Sequence, residues 1–84
     1  MIDDVKAALR IRSDTFDNEI LALIDAAEAD LRLVGINMKP PDPLIERAVI
    51  LYAKAHFGYF EDSERYMKAY EHLKCALSLA GGYH

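Results

Sequence analysis

The sequence predicts an all-α protein: a small bundle in which a short N-terminal helix and three longer helices pack together, with the third helix central. Three observations predict it. Apolar residues recur at intervals of three and four over most of the chain, the repeat of a buried helical face. No stretch alternates with period two for long enough to make a strand. The periodic segments are separated by helix punctuation at Gly35, Pro40-Pro41, Asp42-Pro43, Gly58 and Gly81-Gly82.

The first helix is expected over about residues 3–9, with Asp3 and Asp4 in a first turn where the helix dipole favours negative charge. Val5, Ala8 and Leu9 form its apolar stripe, continued by Ile11. The second is expected to begin at Asp14 or Thr15, both good N-caps, with Asp17 and Glu19 in its opening turn. Phe16, Ile20, Leu23, Ala27, Leu31 and Val34 mark its buried face, and Gly35 is the natural stop. A loop follows over residues 36–41, where two adjacent prolines remove donors and extend their predecessors.

Asp42-Pro43 is a helix start, the aspartate as N-cap and the proline in the first helical position. The third helix runs from residue 43 to about 57. Leu44, Ile45, Ala48, Val49, Leu51, Tyr52 and Ala55 cover most of its wheel, which suits the centre of a bundle. Its polar stripe holds Arg47 and Lys54, with Ile50 between them as either a lone exposed aliphatic or an interface position. Gly58 and the acids Glu61-Asp62 mark the next turn. Asp62 or Ser63 caps the fourth helix, in which Tyr66, Tyr70, Leu73, Leu77 and Ala80 keep helical spacing up to the stop at Gly81-Gly82.

Length and composition bound what such a chain can be. Eighty-four residues predict one domain, 1–84, and 52% hydrophobic against 29% charged residues is a globular balance. A core this small nearly cancels against the entropy of ordering the chain, so support from disulfides, metals or partner subunits is the usual expectation. The single cysteine, Cys75, rules out an intrachain disulfide and fits a reducing compartment. The opening Met1-Ile2-Asp3-Asp4 is acidic where a signal peptide would be basic. The longest apolar run, residues 48–53, is far short of the ~20 needed to span a bilayer. A net charge of −4 argues against a dedicated nucleic-acid binder.

No constellation for catalysis, metal or cofactor emerges. His72 and Cys75 share a helix face, but zinc needs two further ligands, and His56 and His84 complete no ligand motif. The pair reads as a surface histidine beside a half-buried thiol. Cys75 lies mid-helix, where no helix N-terminus lowers its pKa. Ser13, Ser63 and Ser78 read as caps or surface positions, with no strand–turn–helix elbow to present them. Asp25, Glu28 and Asp30 read as the solvent side of the second helix. The aromatic run His56-Phe57-Gly58-Tyr59-Phe60 is flanked by Glu61 and Asp62 rather than by basic residues, which favours core packing over base stacking. Tyr66 and Tyr70 are expected to join that corner with their hydroxyls at its rim.

Taken in order, these pieces resemble the small head–tail connector, or DNA-packaging adaptor, family of tailed phages and prophages. The resemblance runs from Val5-Lys6 and Leu9-Arg10-Ile11 through Phe16-Asp17-Asn18-Glu19-Ile20, Leu23-Ile24-Asp25-Ala26-Ala27 and Asp30-Leu31 to Gly35. It resumes with Pro43-Leu44-Ile45, Ala48-Val49, Tyr52 and His56-Phe57-Gly58, and ends with Tyr70, Leu73 and Leu77, leaving the tail at residues 81–84 outside it. It implies a structural protein of the virion head–tail junction, made in the host cytoplasm and not an enzyme. It implies a ring of copies beneath the portal protein that extends the DNA channel and docks a tail-side connector or completion protein. An isolated monomer is compatible with this picture. DNA would pass without sequence-specific binding, which the net negative charge suits. On this reading the 34–42 loop, with Met38 and Lys39, and the stripe of Arg47, Ile50 and Lys54 are the expected subunit or portal contacts.

Two other classes compete. A helix-turn-helix regulator would need basic or amide side chains at the start of a recognition helix. The third helix instead sets Arg47 and Lys54 among apolar residues, and the fourth opens with Asp62-Ser63-Glu64. A generic helical interaction module, such as a chaperone or toxin-inhibitor subunit, would share the fold and differ in its genomic neighbours.

Overall fold

The computed structural model describes residues 1–37, 42–57 and 62–80, and among them every regular element is a helix. The four are α1 (Ile2–Leu9), α2 (Asp17–Leu33), α3 (Pro43–His56) and α4 (Ser63–Leu79). Helix α3 packs against each of the other three, and α1 also lies on α2. One cluster of buried side chains joins all four, with Ala48 and Ala53 of α3 and Ala27 of α2 wholly enclosed. Alanine at these positions lets helix backbones approach closely while leaving no polar atom to satisfy.

Helix α1 buries Val5 and Leu9 as its stripe requires. It ends with Arg10 in the left-handed conformation at φ 60°, unusual for a residue with a side chain and costing roughly 1–2 kcal/mol. In return, the amides of Arg10 and Ile11 bond back to the carbonyls of Ala7 and Lys6 at 3.1 and 3.0 Å, satisfying the helix end.

The start of α2 differs from the sequence expectation. It begins at Asp17 rather than at Asp14 or Thr15, and no side chain caps it. The candidate caps are engaged elsewhere. Asp14 reaches back to Lys6 Nζ at 3.0 Å, while Ser13 Oγ accepts the Thr15 amide at 3.0 Å and lies 2.7 Å from its hydroxyl. Lys6, its side chain largely covered, also lies 2.8 Å from Asp17, so one ammonium ties α1 to the first turn of α2. Both carboxylates hold the Lys6 pKa above its ordinary value, Asp17 more than Asp14, against a smaller opposing effect of burial.

The far end of α2 follows from Gly35, at φ 84°. The Gly35 amide bonds to the Arg32 carbonyl at 2.9 Å and the Ile36 amide to the Leu31 carbonyl at 3.2 Å, the paired bonds of a Schellman motif. Leu31 and Ile36 are both buried, the apolar contact that accompanies this motif. Val34, expected inward from spacing, is instead exposed, because the chain leaves the helix at that point and Ile36 takes its place in the core. Ile24, outside the expected stripe, is buried as well.

Helix α3 starts as the sequence requires. Asp42 is extended, Pro43 follows, and Asp42 Oδ1 accepts the Ile45 amide at 2.9 Å. Asp42→Ala is expected to cost about 1 kcal/mol through this cap, read as a lower denaturation midpoint at unchanged m-value. Of the residues assigned to the inner wheel, Leu44 is half exposed, while Ala53 is buried in addition to them. Helix α4 buries Tyr70 and Leu77. Asp62 stands at its N-cap, but its carboxylate pairs with Arg65 at 3.3 Å instead of capping an amide. The helix ends at Leu79, and the expected stop at Gly81-Gly82 lies outside the described residues.

Ring contacts give the directions of the helices. Phe16, before α2, meets Phe57, after α3, edge-on at 5.6 Å, so these helices run antiparallel. Tyr52 meets Tyr70 at 5.2 Å and Lys54 lies 5.2 Å from the Tyr66 ring, so α4 is antiparallel to α3 as well. Helices α2 and α4 therefore run in the same direction.

Candidate interaction surfaces

The expected contact stripe lies on the outward side of α3, but its members are not equally open. Arg47 is exposed. Lys54 is half covered, its ammonium resting over Tyr66 of α4 as a cation–π contact. Ile50 is also half covered and packs against the core, so it is neither a lone exposed side chain nor a fully open one. Met38 and Lys39 lie outside the described residues.

The acids of α2 divide in a way the sequence reading missed. Asp25 is exposed and Glu28 partly so, as expected of a solvent side. Asp30 is not on that side: its Oδ2 accepts the Tyr70 hydroxyl at 2.5 Å and Lys74 Nζ at 3.1 Å, both from α4. Lys74 also pairs with Glu71 at 3.0 Å and lies 5.4 Å from the Tyr70 ring. The Tyr70 hydrogen bond holds the Asp30 carboxyl below its ordinary range, with burial opposing and Lys74 reinforcing. Burial first, then Asp30, pushes the Tyr70 phenol well above its ordinary value. Burial lowers the Lys74 pKa, but Glu71 and Asp30 outweigh it and leave the ammonium firmly charged. The cluster locks α4 to α2. Tyr70 reaches it from the core, and its hydroxyl finds a partner on α2, so the rim expected for it is an interhelical seam.

The remaining aromatic expectations divide similarly. Phe57 is buried in the corner, whereas His56 is exposed and stacks on Tyr52 at 4.2 Å. Tyr59 and Phe60 lie outside the described residues. Tyr66 is half-buried against the core between Lys54 in the last turn of α3 and Arg65 in the first turn of α4.

His72 and Cys75 do share a face, and both are exposed, which corrects the half-buried thiol expected from sequence. A thiol buries only if a neighbour covers it, and this side of α4 points away from α3. With Ala76 and Leu79 they line a shallow hollow of about 290 Å³. Among the described residues, no three His, Cys, Asp or Glu side chains are grouped to hold a metal ion. A wider concavity of about 690 Å³ lies along α1 and the turn after it, lined by Asp3, Lys6, Ala7, Arg10, Ile11 and Arg12. Its mixed charges and the engagement of Lys6 with Asp14 and Asp17 leave no converging set of groups for one ligand.

The two most exposed large apolar side chains lie at one end of the bundle with two less open ones, while Leu21, 43% exposed, lies near the start of α2. Leu33, 84% exposed, and Val34 close α2; Leu44 opens α3; Leu79, 80% exposed, closes α4. These helix ends share one end of the bundle because α2 and α4 run alike and α3 opposite. Among the described residues, no helix is long and apolar enough to cross a membrane.

A family model described as phage connector protein matches the chain over residues 1–84, its whole length. No curated protein and no solved structure matches it. A helical bundle with spare apolar side chains at one end and a family match from first residue to last agree, and the chain belongs to the phage connector protein family.

Proposed function

We propose that this protein is a structural head–tail connector of a tailed phage or prophage: copies assemble as a ring beneath the portal, extend the DNA channel and dock tail-joining proteins. The family match over the whole chain carries this reading. The ring supplies a reason for leaving Leu33 and Leu79 uncovered in the free subunit. The chain acts as one domain without catalysis, at the head–tail junction of the virion, and DNA slides past it rather than being read. The net charge of −4 agrees with this, since an acidic surface repels phosphate.

Electron microscopy of the chain mixed with its cognate portal tests the proposal. A ring of added density on the portal is the expected result, and a bare portal at saturating protein would refute it. Arg47, Ile50 and Lys54, with Met38 and Lys39, are the portal or subunit contacts in this proposal. Because Arg47 is exposed, Arg47→Glu is expected to change stability by no more than about 0.5 kcal/mol while weakening portal binding about tenfold. Lys54→Glu is expected to weaken both, through loss of the Tyr66 contact. Co-sedimentation with portal, beside thermal melts of each variant, separates the two effects.

A further inference from the structure

The two helix faces turned away from α3 carry complementary patterns. On α2, Ala22, Ala26, Ala29 and Leu33 are exposed at spacings of four, three and four, a straight seam of the kind a second helix packs along. On α4, Lys68, His72, Cys75 and Leu79 are exposed with the same spacings. The α2 seam is edged by Asp25 and ends in the projecting Leu33; the α4 seam opens with Lys68 and ends in the hollow lined by His72, Cys75, Ala76 and Leu79. Among the described residues neither Asp25 nor Lys68 takes part in an ion pair.

From this geometry we infer that the α2 face of one copy docks on the α4 face of the next, with Leu33 seated in the His72–Cys75–Ala76–Leu79 hollow and Asp25 facing Lys68. The inference rests on the ring reading above and names its subunit interface. Heights within one chain support the register. Helices α2 and α4 run in the same direction, and Asp30 on α2 is level with Tyr70 and Lys74 on α4. A rotation about an axis along the bundle therefore brings Asp25 near the height of Lys68 and Leu33 near that of Cys75. The contact joins two different patches, the head-to-tail type that closes into rings. Like-with-like pairing about such an axis would set Asp25 on Asp25 or Lys68 on Lys68, and charge selects against it. An alanine seam with one leucine is small, so a single contact is weak; many copies held on one portal gain through effective concentration.

The chain has a single cysteine, and it lies in the hollow. Leu33→Cys therefore places a second thiol where the projecting leucine seats, at an exposed position where folding does not depend on it. With portal and oxidised glutathione, this variant is expected to give a ladder of covalent multimers on non-reducing gels. Peptide mapping should join the introduced thiol to Cys75, and Leu33→Cys combined with Cys75→Ser should give no ladder. Asp25→Lys is expected to weaken ring formation on the portal about tenfold, and Asp25→Lys with Lys68→Asp to restore most of it. Rings that form on the portal with no such cross-link, and with no effect of Asp25→Lys, overturn this interface and leave the connector reading standing. Failure of the unaltered chain to form rings on portal overturns both.

Discussion

Leu31→Ala is expected to cost about 2–5 kcal/mol, the range for truncating an enclosed leucine in a core that relaxes only partly. Leu31 is fully buried on α2, and its carbonyl and side chain both hold the Schellman turn through Ile36. A chain of this length has roughly 4–13 kcal/mol of total stability, so the loss is a large share of the whole. Urea unfolding should show a lower midpoint with the slope unchanged. Leu33→Ala is the internal control: the same residue type two positions on, 84% exposed, is expected to shift stability by no more than about 0.5 kcal/mol. Equal losses for the two leucines would mean that the assignment of inner and outer faces on α2 is wrong.

Cutting the tie between α2 and α4 is expected to have the next largest effect. Tyr70→Phe removes one hydrogen bond to a charged group and should cost about 1.5–3 kcal/mol at most, toward the low end because Asp30 keeps some water. Asp30→Ala should cost more, since it leaves the enclosed Tyr70 hydroxyl without its acceptor and Lys74 with Glu71 alone. The double variant should cost less than the sum of the singles, the sign of direct coupling. The pH dependence follows from the directions of the shifts. The Asp30 pKa is lower in the fold than in the unfolded chain, so its contribution is present above the ordinary aspartate range near 3.9 and is lost as pH falls through the lowered value. The Tyr70 pKa is raised, so its contribution is intact below about 10 and is lost as pH rises toward the folded value. Melting temperatures from pH 2 to 11 should therefore fall at both ends. Tyr70→Phe should flatten the alkaline limb, and Asp30→Asn should flatten part of the acid limb; an unchanged alkaline limb in Tyr70→Phe would sink this account.

The interface residues were partly legible. Arg47 and Lys54 are polar on a helix apolar elsewhere, and periodicity alone puts them outward. Leu33 also falls outside the periodic buried stripe of α2, so its outward side was legible; that no neighbour covers it, leaving it 84% exposed, had no signal in the sequence. The hollow on α4 was equally silent: His72 and Cys75 were visible as a pair, but their shared concavity with Ala76 and Leu79 depends on the side chains around it.

Local chemistry by itself determined where most helices lie, that α3 is central, and that α3 begins at Asp42-Pro43 and α2 stops before Gly35. Each of these depends on residues within a turn of one another: a carboxylate three residues from an amide, a glycine free to turn left-handed, an apolar residue every three or four. Tertiary structure alone decided the start of α2, where Lys6 takes the carboxylate that would have capped it. It also decided the role of Asp30, at an angle on α2 that belongs to solvent until α4 packs beside it. The physical reason is common to both: a charged side chain takes whichever partner the fold brings within about 3 Å, and that partner can lie forty residues away.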